Sequence, residues 1–363
     1  MKRYISTRDF DWVLLGFVLA ICAAGVIEIY STTVGTKFAG AHIRQIYWIL
    51  GGVFVMFVVS RLNYQVLLEQ VPWMYLVAVI SLAAVRVVGE KYLGARRWIK
   101  IGGGVHIQPS EWVKLILILA VAKYFADARQ RECTWADILK AGGLVAVPML
   151  LVLSQPDLGT ALTYMPVALM GLFLGGMRWK QATVIVLLAV MMMPVAWHVL
   201  KPYQRERLTS FMQPEADYHG SGYQVIQSLI AVGSGGIWGK GTRQGSQIQG
   251  SFLPVPQTDF IFAAYAEEHG FVGAVAILLL YFIVLMRLVH NAQTAPDRSG
   301  TFVIMGVVAV LTFHILVNVG MVVGFMPVTG IPLPLMSYGG SSVLFTFLAL
   351  GIVMNIRMRR FVN

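Results

Sequence analysis

The sequence predicts an all-α integral membrane protein of about ten transmembrane helices with one large extracytoplasmic loop. Three observations carry that reading. Hydrophobic residues make up 57% and charged residues 12% of the 363 positions, against roughly 45–50% and 25% in an ordinary soluble domain. The apolar runs are unbroken and roughly 18–25 residues long, as hydrocarbon-spanning helices require, whereas barrel strands would alternate. Only one long interruption, over about 201–259, breaks the hydrophobic pattern.

Helices are expected near 11–32, 43–61, 72–89, 109–127, 138–155, 159–176, 183–200, 260–290, 301–324 and 336–357. The first run, Trp12 to Ile29, follows Lys2, Arg3 and Arg8; its length and the lack of a small-residue cleavage site make it a retained helix and not a secretion signal. Cys22 and Cys133 imply neither a disulfide framework nor a thiolate metal site. An even number of spans puts both termini on one side of a multi-pass protein, and a modest excess of basic residues on that side, by the positive-inside rule, makes it the cytoplasmic one. The outer basic residues gather in two segments, 91–100 and 201–243. Cations concentrated on the disfavoured side point to an anionic ligand, with lipid headgroup contact as the plainer alternative.

Within the long loop, Tyr223 to Val232 places Val225, Ile226, Leu229 and Ile230 on one helical face opposite Gln224, Gln227 and Ser228. That pattern fits a short helix at the membrane interface. No soluble domain, internal repeat or low-complexity tract stands out, so residues 1–363 read as a single polytopic membrane domain, and nothing indicates nucleic acid as a partner.

Most acids fall in loops, where a solvated charge needs no explanation. Asp259 does not: it stands in Pro254-Val-Pro-Gln-Thr-Asp-Phe-Ile-Phe262, where the long loop becomes an apolar helix. It can cap that helix, or act as a general base at the water interface, and the two roles are compatible if Thr258 caps. Asp157, between two apolar runs, is open to capping or to substrate contact. Glu111 and Lys114 lie three residues apart on one helical face, as an ion pair that fixes the bundle or takes part in function. Arg97 and Trp98 join a guanidinium, which binds phosphate bidentately, to an interfacial aromatic; an aromatic belt with snorkelling charges is the alternative. The glycine-rich stretch 233–241 fails the nucleotide pattern, with Ser234 where glycine is needed and Gly241 where Ser or Thr is needed, and reads as a turn bringing Lys240 near lipid phosphates. Gly171/Gly175 and Gly320/Gly324 have the spacing of close helix packing. The histidines form no pair at metal-ligand spacing, so no metal site is assigned; a hard divalent cation, Mg2+ or Mn2+, bridging carboxylate and pyrophosphate needs no motif. No organic cofactor is implied.

Taken together, Gly94-Ala-Arg-Arg-Trp98, Gln108-Pro-Ser-Glu111, Gln155-Pro-Asp-Leu-Gly-Thr160, Gly222-Tyr-Gln-Val-Ile-Gln-Ser228, Gly233-Ser-Gly-Gly236, Thr258-Asp-Phe-Ile-Phe262, Ala266-Glu-Glu-His-Gly270 and Pro332-Leu-Pro-Leu-Met-Ser-Tyr-Gly-Gly-Ser341 resemble the SEDS family (shape, elongation, division and sporulation), nearly end to end and in the family's order. The short N-terminus, the Asp-Leu-Gly after Gln155-Pro and Tyr203-Gln-Arg-Glu-Arg207 are more similar to its elongation branch than to its division branch. The resemblance implies a peptidoglycan glycosyltransferase polymerising lipid II at the outer face of the cytoplasmic (inner) membrane, with a class B penicillin-binding protein as partner. It places the family's essential acid on Asp259, its membrane ion pair on Glu111 and Lys114, and a further acid on Asp157. Many members carry histidine where this chain has Gln257, so a His-Asp relay there does not apply.

The residues and the resemblance meet in one expectation: Asp259 as general base in an inverting transfer, with Arg97, Trp98, Lys240 and Asp157 at the substrate. The rival is a lipid II flippase or transporter, which predicts inverted repeats that the sequence does not show and gives the outer acid no role.

Overall fold

The computed structural model describes residues 9–92, 95–102, 105–128, 132–216 and 220–360. Lys2, Arg3, Arg8 and Gly94 of the sequence analysis lie outside the described residues. The chain is an all-α integral membrane protein, and among the described residues seven helices are long and apolar enough to cross a membrane. These are α1 (Trp12–Thr33), α2 (Ala41–Arg61), α4 (Val71–Val88), α6 (Trp135–Ser154), α13 (Ile261–Gln293), α14 (Arg298–Val322) and α15 (Gly340–Met358). The other expected spans are α5 (Pro109–Asp127), the pair α7 (Leu158–Leu162) and α8 (Met165–Leu174), and α9 (Trp179–Val199). Short helices α3 (Tyr64–Glu69), α10 (Pro202–Met212), α11 (Ser221–Ser234) and α12 (Ser246–Gln249) complete the set.

Helix starts follow local chemistry. Asp11 caps α1 through the Leu14 amide at 3.1 Å, Thr134 and Asp137 form a capping box on α6, and Asp297 accepts from the Gly300 amide at 2.7 Å. At that end of the bundle Asp11 also receives Arg287 at 2.9 Å, Arg357 at 2.5 Å and Asn291 at 3.1 Å, tying α1, α13 and α15 together. Burial works to raise the Asp11 pKa, but Arg287, Asn291, the Leu14 amide and Arg357 hold it below the ordinary value.

The centre of the bundle is α5, α14 and α15, whose side chains are mostly buried, while α4 and α9 expose long apolar rows, as lipid-facing helices do. Glycine sets the closest approaches. A Cβ at Gly52 would lie 2.5 Å from the Phe347 ring, and at Gly171 and Gly175 it would lie 2.2 Å from Val121 and 2.7 Å from Phe125. Gly171/Gly175 is therefore the close-packing pair the spacing predicts. Gly324 differs from that expectation: it adopts φ 74° just past α14 and turns the chain against Leu229.

Three departures from the expected helices matter for the site. Residues 90–107 form a small antiparallel sheet, β1 (Glu90–Tyr92), β2 (Ala95–Gly102) and β3 (Val105–Ile107), in the order β1-β2-β3, with Glu90 opposite Trp98 and Ile99 opposite Ile107. The amphipathic segment is helix α11, but its protein-facing stripe is Gly222, Val225, Ser228 and Ala231, while Leu229 and Ile230 stay exposed. Small residues permit the approach that lets the Ser228 hydroxyl donate to the Val322 carbonyl at 3.1 Å. Third, α13 breaks at Gly270, with φ 67° and ψ −166°. The turn-rich strap 235–241 docks into the break, with the amides of Lys240 and Gly241 donating to the carbonyls of Glu267 and Glu268, and those of Phe271 and Val272 to the carbonyls of Gly236 and Ile237.

Candidate active site

Asp259 sits one residue before the α13 N-cap, Phe260, and no side chain caps that helix. The capping reading of Asp259 and Thr258 therefore fails, and the carboxylate is left for other work. Its loop is pinned by the segment between α14 and α15. Asn318 donates to the Asp259 carbonyl at 2.9 Å and to the Ile331 carbonyl at 2.8 Å. The Ser337 hydroxyl donates to the Thr258 carbonyl at 2.7 Å, and the Tyr338 amide to the Gln257 carbonyl at 2.9 Å. Pro254 and Pro256 stiffen the approach. The carboxyl group is half-buried beside Gly330, where a Cβ would come 3.5 Å from Oδ2. Burial raises its pKa above the ordinary carboxylate value and Asp157 adds to the rise, opposed by the charge of Arg207 and the Thr258 hydroxyl. A raised carboxyl pKa at a pinned, uncapped position suits a general base.

Arg207, on α10, donates to the Val328 carbonyl at 3.1 Å, which holds its charge beside Asp259. Tyr203, one turn earlier, has a buried hydroxyl with no well-formed hydrogen bond among the described residues, beside the Gln204 side chain and within the field of Arg97, Arg207 and Asp157. Burial raises its pKa, so it stands as a neutral donor. Sequence reading quoted both residues only as part of a family phrase. Helix α10 is polar and short, and only its contact with Val328 distinguishes Arg207 from the other loop cations.

Asp157 caps α7, accepting from the Thr160 amide at 3.1 Å. Its second oxygen receives Gln108 at 3.1 Å and Arg97 at 3.5 Å. Arg97 also donates to the carbonyls of Gln155 and Pro156. The sheet thus delivers Arg97 to the turn before α7, where most of its donors already serve protein acceptors, and Trp98 stays half-buried beside it in β2. Gly159 brings α7 against the Thr329 carbonyl, next to Gly330.

Glu111 and Lys114 pair at 2.9 Å, with the ammonium fully buried. Lys114 also meets His314 Nε2 at 3.2 Å and lies 4.5 Å from the centre of the Phe345 ring. His314 Nδ1 is 3.3 Å from the Pro332 carbonyl. Lysine can only donate, so His314 accepts at Nε2 and donates from Nδ1. The ion pair is therefore wired to the same 331–338 segment that pins Asp259. Lys240 is elsewhere: its ammonium holds Glu267 at 2.7 Å, with the hydroxyls of Ser234 and Ser246 at 2.7 and 2.8 Å. The structure does not bring it to Asp259.

The FtsW/RodA/SpoVE family model, described as cell cycle protein, matches residues 8–361. The chain belongs to that family. It is 38% identical to peptidoglycan glycosyltransferase MrdB of Escherichia coli (strain K12), covering 99% of this chain and 96% of that one. It is 35% identical to stage V sporulation protein E of Bacillus subtilis (strain 168), over 95% and 96% of the two chains. Among solved structures, one of a peptidoglycan synthase complex that coordinates polymerization and crosslinking aligns with a TM-score of 0.83 at 36% identity, over 98% and 99% of the two chains. The crystal structure of Thermus thermophilus rod shape determining protein RodA aligns at 0.73 with 29% identity, over 97% and 98%. Family membership thus extends over the whole site just described, from Arg97 to the 331–338 segment.

Proposed function

We propose that this chain is a peptidoglycan glycosyltransferase that polymerises lipid II into glycan strands during cell elongation, with Asp259 as general base. The observation that carries the proposal is Asp259 itself: an uncapped carboxyl of raised pKa on a loop fastened by Asn318, Ser337 and Tyr338, beside the cation of Arg207. The names of the relatives, peptidoglycan glycosyltransferase above all, support the reaction class.

Asp259 takes the proton of the acceptor sugar hydroxyl as that oxygen bonds to the anomeric carbon of the donor glycan. The bond from that carbon to the lipid pyrophosphate breaks, and the pyrophosphate departs with the electron pair. One base and one direct displacement invert the configuration. Arg207 and the Tyr203 hydroxyl face the developing negative charge; Arg97 and Lys240 are each paired with a carboxylate of the protein, Asp157 and Glu267, whereas Arg207 donates to a backbone carbonyl. A divalent cation, Mg2+ or Mn2+, fits this group only as a guest of the pyrophosphate. Both oxygens of Asp157 are committed, which leaves Asp259 as the carboxylate outside that network; a cation bound there would neutralise leaving-group charge.

The site faces outward, with both termini cytoplasmic, in the inner membrane, and a class B penicillin-binding protein is the partner; the peptidoglycan synthase complex among the similar structures supports such an assembly. The test is to reconstitute the chain with its cognate penicillin-binding protein in vesicles, supply lipid II and a divalent cation, and follow both glycan length and lipid II movement between leaflets. Glycan formation supports the proposal; movement without glycan would replace it with the flippase reading.

A further inference from the structure

Three acids buried away from Asp259 have no part in that chemistry. Glu28 of α1 and Glu267 and Glu268 of α13 are each at most 1% exposed. Glu267 is compensated by Lys240, by two serine hydroxyls and by the Gln247 amide. One oxygen of Glu268 accepts from the Ser31 hydroxyl and from the Arg243 amide at 2.9 Å. Among the described residues, its other oxygen and both oxygens of Glu28 have no hydrogen-bond donor. A fully buried carboxylate without a donor is costly and demands a positive partner or a proton.

A ring nitrogen supplies the third corner. His269 Nδ1 lies 3.8 Å from Glu28 Oε2, and the ring stacks on Tyr265 at 4.2 Å; without an ion Nδ1 donates to the Tyr265 carbonyl at 3.2 Å, a bond and a proton that the imidazole gives up if that nitrogen binds a cation. One ligand atom from each of Glu28, Glu268 and His269 falls within 4.8 Å of the others. Bonds of about 2.0–2.2 Å to a central ion would place such donors roughly 3–4 Å apart, so closing around a cation needs a shift of under about 1 Å. The His269 side chain is 30% exposed, which provides an entry path.

We propose that Glu28, Glu268 and His269 bind a divalent transition cation, of which Mn2+ and Zn2+ fit the two carboxylates and one imidazole. Such an ion ties α1 to the short first segment of α13, immediately before the break at Gly270, and so fixes the segment whose leading end carries Asp259. The site stands whether or not Asp259 acts as the base.

The test uses the purified full-length chain, stripped with a chelator and re-equilibrated with Mn2+. Wild type and Asp259→Asn should each retain roughly one Mn2+ per chain and melt several degrees higher with the metal, whereas Glu28→Gln should bind at least about tenfold more weakly and show no metal-dependent rise. Spin-echo spectra of the wild-type Mn2+ should carry the nitrogen coupling of an imidazole, lost in His269→Gln. Equal uptake by Glu28→Gln, or bound Mn2+ without nitrogen coupling, would overturn the assignment. So would a wild type that takes up no ion while Glu28→Gln melts no lower, since the acids would then share a proton.

Discussion

Replacing Glu111 by Gln keeps the shape of the side chain and removes its charge, leaving the fully buried Lys114 ammonium without its 2.9 Å counter-ion. Breaking a buried pair this way costs about 3–5 kcal/mol, since the remaining charge is uncompensated. Lys114 keeps His314 Nε2 at 3.2 Å and the Phe345 ring at 4.5 Å, which favours the lower end. At roughly 2 °C per kcal/mol for a chain of this size, Glu111→Gln should melt about 6 °C below wild type. The double variant Glu111→Gln/Lys114→Met removes both charges and should recover to within about 1.5 kcal/mol of wild type. Thermal melting of the single and double variants in lipid nanodiscs reads the cycle. If Glu111→Gln melts with wild type, or the double variant loses the sum of the two singles, the pair is not the buried, coupled unit described here. Polymer synthesis by the stable double variant then separates bundle support from any direct part in the reaction.

Arg207→Gln removes the charge that holds the Asp259 pKa down, so that pKa rises further; the base form disappears at a higher pH, and the acid limb of the pH–rate profile should move upward while the alkaline side stays put. An unmoved acid limb would separate Asp259 from the titrating base. Tyr203→Phe removes a buried hydroxyl that makes no well-formed hydrogen bond among the described residues, so stability should stay within about 0.5 kcal/mol of wild type while KM for lipid II rises by roughly tenfold; a destabilised variant with normal KM would mark the hydroxyl as structural. Gly270→Ala forces a Cβ to within 2.2 Å of the Gly239 amide nitrogen at a backbone angle that only glycine tolerates. It should cost about 2 kcal/mol or more and expose the 235–241 strap to protease, whereas unchanged proteolysis would contradict the docking.

Much of the fold was legible because lipid leaves the chain little choice. Backbone groups in hydrocarbon must pair within the segment, so each span has to be long and apolar, and the expected segments coincide with α1, α2, α4 to α9 and α13 to α15. The break in α13 was hidden because a glycine inside a helical pattern does not by itself announce a kink, and only the 235–241 strap that docks at Gly270 reveals it. The 90–107 sheet escaped notice because its two outer strands have only three residues and the eight-residue middle strand, Ala-Arg-Arg-Trp-Ile-Lys-Ile-Gly, carries paired charges instead of a clean alternation. At the site, Asp259, Asp157 and the Glu111–Lys114 pair were legible since acids at helix starts and charges inside spans stand out against an apolar background. Lys240 misled because its counter-ion, Glu267, lies 27 residues further on. His314 and Asn318 were silent for a related reason: a polar residue inside α14 shows its purpose only when the 331–338 segment folds back onto it.

The most direct measurement is glycan polymerisation from lipid II by wild type and by Asp259→Asn, each purified with the partner penicillin-binding protein and matched for melting temperature and complex formation. The amide fills the same space beside Gly330 but cannot take a proton. The account predicts polymer from wild type and none from Asp259→Asn; equal polymer from both would show that the base lies elsewhere.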